Sequence, residues 1–178
     1  DLILSISEEI SKKANKFNKN IYKISPGVNF ERFRNFKNDI KIENELSKIS
    51  MPVIGYIGAL SRVLDQELLI KLALEIPKSN ILLIGPKFYN ISQNLKKLKN
   101  VFFINTVSHD KLPQYINKFN ICIIPYKVNE FTNSVYCCKL NEYLALGKPV
   151  VSTNMNEIQF FLKKYPDSIY IGKNEIDF

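Results

Sequence analysis

The sequence alternates short apolar runs with amphipathic segments, and this alternation restricts the fold more than any other feature. Apolar runs lie at 53–58, 81–85, 101–104, 121–125, 150–153 and 169–171. Strands that are apolar throughout are typical of a parallel sheet buried on both faces. The pattern therefore predicts an α/β fold, a parallel sheet with helices on both faces. The predicted helices are Leu64–Ile76, Ile91–Leu98, Asp110–Phe119, a short one around Glu142, and Asn156–Lys164.

The first 50 residues do not follow this regular pattern. Asp1–Ser7 predicts a buried strand, a helix follows to about Phe17, and Ile21–Ile24 predicts a second short strand. A lone strand cannot satisfy its backbone, so it either joins the sheet that follows or pairs with strands of another part of a longer protein. Residues 35–50 predict a short helix and a linker. We therefore divide the chain into a strand-helix extension with linker at 1–50 and a main domain at 51–178.

Charge and cysteine content limit the class of partner. The net charge is +8, and 46% of the residues are hydrophobic, so a folded core is expected. A basic surface suits nucleotides, nucleic acid or an anionic membrane. The lysines are spread without an arginine-rich stripe or an aromatic-basic cluster, so we do not expect nucleic-acid binding. Three cysteines without disulfide or metal spacing, and no apolar run of membrane-spanning length, indicate a reducing, cytoplasmic setting.

Glycines, hydroxyls and cations follow the predicted strands. In parallel sheets ligands bind at the carboxyl ends of the strands, and this composition suits a phosphorylated ligand. The segments concerned are 58–62, 85–87, 105–108, 125–127 and 152–153. There is no G-x-G-x-x-G fingerprint and no P-loop. His109 is the only histidine, which argues against a zinc site or a Ser-His triad, and we interpret it as a surface residue at a helix start.

The stretch at 139–153 predicts a helix, a tight turn and a buried strand. Gly147 stands where a left-handed helix cap is expected, and a proline follows at 149. Lys139 and Glu142 are three residues apart, on the same face near the helix start. One interpretation is an exposed ion pair on an amphipathic helix. The other is a phosphate at the positive helix end, with the carboxylate accepting hydrogen bonds from sugar hydroxyls.

Several segments together resemble the nucleotide-binding C-terminal half of GT-B glycosyltransferases, in the glycosyltransferase-1 superfamily. The segments, in the order of the family, are 24–29, 56–60, 83–86, 112–115, 124–126 and 139–151, of which the last is the most specific. The resemblance implies that the sheet is Rossmann-like. It also implies that residues 1–7 are the final strand of an N-terminal, acceptor-binding domain that this chain lacks.

The resemblance implies roles for individual residues. Glu142 would bind the ribose hydroxyls of a nucleoside-diphosphate sugar, and Gly58 would let the backbone approach the pyrophosphate. Lys139 and Arg62 would stabilise the departing diphosphate, with Lys87 as a further phosphate cation. Thr106 and Val107 would border the base. Backbone amides facing the diphosphate or the donor sugar would come from Asn133, Ser134, Val135 and Tyr136.

Two departures from the family accompany the match. Ser134 stands where many relatives have a second glutamate, and Arg62 is not followed by the usual lysine.

The implied function is the donor-binding domain of a sugar transferase, with a UDP-sugar favoured and no cofactor or metal. The acceptor, a glycan or a lipid-linked sugar, would bind the missing domain, and a lipid-linked acceptor would add peripheral membrane contact at the inner face. This fragment alone would be inactive. The alternatives are an inactive binding or scaffolding domain and a GT-B sugar epimerase.

Overall fold

The computed structural model describes residues 1–172 and 177–178; residues 173–176, at the end of the predicted main domain, lie outside them. The described strands are β1 Ile3–Ser5, β2 Ile21–Lys23, β3 Val53–Ile57, β4 Asn80–Ile84, β5 Val101–Ile104, β6 Ile121–Ile124, β7 Val150–Thr153 and β8 Tyr170–Gly172. The described helices are α1 Glu8–Ala14, α2 Phe30–Arg34, α3 Ile40–Leu46, α4 Gln66–Glu75, α5 Gln93–Lys96, α6 Leu112–Lys118, α7 Glu130–Asn133, α8 Cys138–Ala145 and α9 Asn156–Lys164.

Six strands form the main sheet in the order β5-β4-β3-β6-β7-β8, and every neighbouring pair is parallel. The chain runs outwards from β3 to β5, then crosses back to β6 and runs outwards on the other side. The strand order therefore reverses between β3 and β6, and in open α/β sheets ligands bind at such a switch point. The predicted parallel sheet is confirmed.

Helices cover the sheet closely because the strands are apolar on both sides. All five residues of β3 are buried, so neither face of this central strand is open to water. Gly55 lets the ring of Phe119, at the end of α6, lie directly on the strand, since a Cβ there would stand 2.1 Å from that ring. The core thus lies between the helices and the sheet.

The first two strands form a small sheet of their own. β1 and β2 are parallel, with Ile3 opposite Ile21 and Ser5 opposite Lys23, so β1 does not join the main sheet within the described residues. Helix α1 instead docks on α9. The buried Glu157 carboxylate on α9 accepts hydrogen bonds from the Ser7 hydroxyl at 2.8 Å and the Glu9 N–H at 2.9 Å.

Two one-turn helices were not predicted from the sequence. They are α2 and α7, and each begins at an asparagine whose side chain accepts a backbone N–H three residues later, at Asn29 and Asn129. Such caps satisfy the free N–H groups of a helix too short to show a periodic pattern. Several of the predicted helices were slightly long. For example, α4 begins at Gln66 rather than Leu64 because the Asp65 side chain accepts from Leu68 N.

Candidate nucleotide site

A crevice opens at the switch point because β3 and β6 separate. β3 pairs with β4 along its whole length, from Val53 to Ile57, but with β6 only at Ile54 and Gly55. Beyond Gly55 the backbone of β3 needs another partner, and the Ile57 N–H donates to the Tyr143 hydroxyl at 2.8 Å. Tyr143 is fully buried on α8. This contact anchors α8 beside the crevice.

Lys139 projects from the first turn of α8 over the end of β3. Its ammonium group donates to the Tyr126 hydroxyl and lies 4.7 Å from the centre of that ring. The Tyr56 hydroxyl lies 3.4 Å from the Tyr126 hydroxyl, and burial raises the pKa of Tyr56 far above its ordinary value, so this phenol stays neutral. Lys139 therefore brings a positive charge to the crevice without an acidic partner among the described ion pairs.

Gly58 makes room for this lysine. Its φ angle is +142°, a conformation that other residues rarely adopt. A Cβ at this position would stand 3.1 Å from Lys139 Cε and 2.9 Å from the Tyr56 hydroxyl. The glycine thus lets Lys139 and Tyr56 lie directly against the backbone at the end of β3.

Glu142 and Lys139 do not form the exposed pair that their spacing allowed. The Glu142 side chain is only 17% exposed, and its Oε1 lies 2.9 Å from His109 Nε2. Its neighbour Lys139 turns instead towards Tyr126. The helix therefore carries a cation and a carboxylate to two adjacent parts of one crevice. His109 is exposed, as predicted, but its contact with Glu142 was not foreseen.

Thr106 and Val107 lie with Gly58 and His109 around a small cavity of about 180 Å³. Gly58 also contacts Lys139, and His109 also contacts Glu142. The cavity therefore places three predicted site residues, Gly58, Thr106 and Val107, close to Lys139 and Glu142.

Arg62 and Lys87 lie elsewhere. They line a separate, polar cavity of about 470 Å³, with Tyr89 and Lys96 also on its wall. The Arg62 guanidinium lies 5.3 Å from the centre of the Tyr89 ring. The structure therefore groups these two cations with each other rather than with Lys139.

Three of the four residues expected to offer backbone amides already use them, since the N–H groups of Asn133, Ser134 and Val135 donate to carbonyl oxygens of α7 and its cap. Asn133 ends α7 and accepts a hydrogen bond from Asn156 N at 3.1 Å. Ser134 and Val135 line a concavity of about 640 Å³ beside α1. The Tyr136 hydroxyl donates to the Asn141 side chain at 3.1 Å.

The N-terminus of α8 has no side-chain cap. Free N–H groups and the helix dipole make such an end attractive to anions. Among the residues described, no group of three His, Cys, Asp or Glu side chains could hold a metal ion. The helices of the same part of the chain include none that is long and apolar enough to cross a membrane.

Sequence reasoning did not foresee the contacts of three residues at the crevice. His109, Tyr126 and Tyr143 supply the partners of Glu142, Lys139 and Ile57. The only available signal was position, since Tyr126 follows a predicted strand and His109 precedes a predicted helix at the carboxyl edge of the sheet.

Comparison with solved structures identifies the fold. Sucrose-phosphate synthase from Thermosynechococcus elongatus superposes with a TM-score of 0.73 at 17% identity, over 99% of this chain and 47% of that one. Anabaena Alr3699/HepE in complex with UDP-glucose gives 0.69 at 18% identity, over 96% and 49%. The chain has the Rossmann-like fold found in GT-B glycosyltransferases.

The family follows from sequence. The model for glycosyl transferases group 1 matches residues 51–175. Over 178 residues the chain is 32% identical to the Bacillus subtilis (strain 168) protein named "Putative teichuronic acid biosynthesis glycosyltransferase TuaH", covering 97% of this chain and 44% of that protein. The chain belongs to the glycosyl transferases group 1 family. It spans about half the length of these three relatives.

Proposed function

We propose that this chain is the donor-binding half of a glycosyltransferase that takes its sugar from a nucleoside-diphosphate sugar. The observation that carries the proposal is the pair of side chains that α8 brings to the crevice at the switch point. There Lys139 supplies a cation without an acidic partner among the described ion pairs, and Glu142 supplies a half-buried carboxylate. A nucleoside diphosphate carries groups that complement both: anionic phosphates and a ribose with two adjacent hydroxyls.

The diphosphate would lie over Gly58, between Lys139 and the N-terminus of α8. With no side chain at Gly58, phosphate oxygens would approach the backbone and Lys139 closely, and the helix dipole would add favourable potential. In a transfer reaction negative charge grows on the leaving diphosphate, so a fixed cation there lowers the barrier. Lys139 is therefore the residue we assign to leaving-group stabilisation.

The ribose would bind Glu142, with the base near Thr106 and Val107. A carboxylate can accept from two adjacent hydroxyls, and hydrogen bonds to an ionised group are the strong ones. The cavity beside Gly58 lies next to this carboxylate through His109. UDP is the favoured nucleotide, since the Anabaena neighbour was solved with UDP-glucose.

The remaining predicted residues require a larger ligand or a rearrangement to take part. Arg62 and Lys87 would reach the donor only if their loops turn towards Lys139, because they now line a separate cavity. Contacts from the α7 to α8 segment to the donor sugar are proposed for four residues, Asn133, Ser134, Val135 and Tyr136. Their present positions make them secondary candidates.

The acceptor would bind a second domain outside this chain. The chain covers 44% of its Bacillus relative, which leaves room for such a domain. We propose that residues 1–50 connect the two, since β1 and β2 form a sheet separate from the main one. On this proposal the chain alone binds nucleotide and does not transfer sugar to a glycan or a lipid-linked acceptor.

A membrane contact would follow if the acceptor is lipid-linked. The fold brings lysines and aromatic rings together across α1 and α9. Lys12 lies 4.2 Å and Lys163 5.5 Å from the centre of the Phe160 ring, and Lys164 lies 5.2 Å from that of Tyr165. Such a face suits anionic lipid. Sedimentation with phosphatidylglycerol vesicles, but not with phosphatidylcholine vesicles, is the expected result, and a K163E/K164E variant should lose it.

Calorimetric titration with UDP, GDP and ADP tests the donor site. One of them should bind, and Glu142→Ala should weaken it about ten- to a hundredfold, as expected for lost charge-assisted hydrogen bonds of roughly 1.5–3 kcal/mol. Glu67→Ala, an exposed glutamate on α4, is the matched control and should bind like the wild type. If no nucleotide binds, or if Glu142→Ala binds equally well, the donor-site proposal fails. A scaffolding domain would then be the better explanation. If nucleotide binds and a longer chain epimerises the sugar instead of transferring it, the epimerase is favoured.

A further inference from the structure

The Glu142 carboxylate is already held by another side chain. Its Oε1 lies 2.9 Å from His109 Nε2, while the histidine side chain is 55% exposed. The other side of the imidazole meets the ring of Phe33 edge to face, with the ring centres 5.8 Å apart. Phe33 is fully buried on α2, so the histidine is supported by a rigid neighbour. His109 is thus placed between α2 and α8 with Nε2 facing Glu142, and the tautomer that carries a proton on Nε2 donates to the carboxylate.

This contact engages one of the two carboxylate oxygens of Glu142 and leaves the other available. With Oε1 engaged by the imidazole, Oε2 and the remaining lone pair of Oε1 are left for a ligand. A free glutamate would lose side-chain entropy on binding, and a held one has lost part of it in advance. Since two adjacent hydroxyls must be met at fixed angles, the direction of the carboxylate matters as much as its charge.

We propose that His109 is a positioning residue that orients the Glu142 carboxylate towards the 2′- and 3′-hydroxyls of the nucleotide ribose. The inference rests on the proposed function. It adds the one histidine of the chain to the donor site and makes recognition of a ribonucleotide, rather than a deoxyribonucleotide, a property of the His109–Glu142 pair. His109 also borders the cavity with Thr106 and Val107, so it stands where ribose and base would meet.

A structural role in stability is the competing explanation. A polar contact with one partner more than half exposed contributes little to stability, so His109→Ala should fold normally. A role in positioning makes a different prediction, because losing His109 should then reduce the gain in affinity that the 2′-hydroxyl of the ligand provides. Glutamine at this position can still donate an N–H without a charge. The His109→Gln variant therefore separates hydrogen-bond donation from charge.

The test is a calorimetric titration with UDP and with 2′-deoxy-UDP. The proteins are the wild type, His109→Ala, His109→Gln, Glu142→Ala and the double alanine variant of both residues. If GDP binds more tightly than UDP, GDP and 2′-deoxy-GDP are used instead. The wild type should prefer the ribonucleotide. His109→Ala should weaken UDP about three- to tenfold, and should weaken 2′-deoxy-UDP less, because that ligand keeps only the 3′-hydroxyl. His109→Gln should recover most of the preference. The double variant should bind UDP like Glu142→Ala alone, since the histidine acts through the glutamate.

The outcomes distinguish the two proposals. If Glu142→Ala loses the ribose preference while His109→Ala keeps it, the positioning role is overturned and the donor site stands. The positioning role is also overturned if His109→Ala weakens both ligands equally, or if its melting temperature falls enough to explain the loss. If the wild type binds neither ligand, or Glu142→Ala binds both as the wild type does, the donor site itself is wrong and the inference falls with it.

Discussion

Replacing Tyr143 by phenylalanine would remove one buried hydroxyl group beside the crevice. That hydroxyl accepts the Ile57 N–H at 2.8 Å, in the part of β3 that β6 no longer pairs. Tyr143 is fully buried and Ile57 is 6% exposed, so water cannot replace the lost acceptor. The substitution keeps the ring and its packing, and therefore isolates the hydrogen bond.

The expected cost follows from leaving one buried donor unsatisfied. That penalty is about 1–3 kcal/mol. For a chain of this size, each kcal/mol corresponds to a fall in melting temperature of about 2–4 °C. Urea unfolding followed by circular dichroism measures the free energy of unfolding, and an unchanged m-value would show that the unfolded state is not altered.

Tyr170→Phe is the matched control, because its side chain is 70% exposed. It removes the same atom from a position in contact with water, and its effect should stay within about 0.5 kcal/mol. If Tyr143→Phe is as stable as this control, then the Ile57 N–H does not depend on Tyr143. The argument that α8 is anchored by this bond would then be refuted.

Three further predictions concern the site, the core and pH. Gly58→Ala should abolish nucleotide binding and lower the free energy of unfolding by about 1–3 kcal/mol, in calorimetry and urea unfolding, because of its φ of +142°. Native protein should react with about one equivalent of a thiol reagent, at Cys138, while the other two thiols are buried and the pKa of Cys122 is raised to about 12. Lys111 lowers the pKa of Asp39, so Asp39→Asn, which keeps the helix cap, should destabilise the protein at neutral pH.

The sign of the Asp39 effect sets the pH window. A carboxyl group whose pKa is lowered by folding contributes stability above its unfolded pKa and loses it as the pH falls through the folded value. The difference between wild type and Asp39→Asn should therefore shrink as the pH falls below about 4, roughly the unfolded value. A difference that persists at low pH would contradict the role of the charge.

The order of the elements could be predicted because their signals are local. Strands such as β4 are apolar at nearly every position, and α9 was predicted with its observed bounds, Asn156–Lys164. Gly147 has a φ of +64°, as its predicted place at the helix cap required. The short helices α2 and α7 were not predicted, since no apolar period in the surrounding sequence marks them.

The contents of the site were only partly predictable. Sequence placed Lys139 and Glu142 on one helix and Gly58 at the end of a strand, and the structure brings these together. It could not show that Arg62 and Lys87 would line another cavity. Their separation depends on how two loops fold over the sheet edge, which no local pattern encodes.

By itself, the sequence determined the type and order of the strands and helices, because burial of apolar runs and helix capping act over a few neighbouring residues. Only the tertiary structure decided what the site residues meet. Lys139 meets Tyr126 thirteen residues away, and Glu142 meets His109 thirty-three residues away. Both contacts exist because the chain crosses back from β5 to β6 and the separation of β6 from β3 opens the crevice beneath α8. Packing over such distances, and not spacing along the chain, selects these partners.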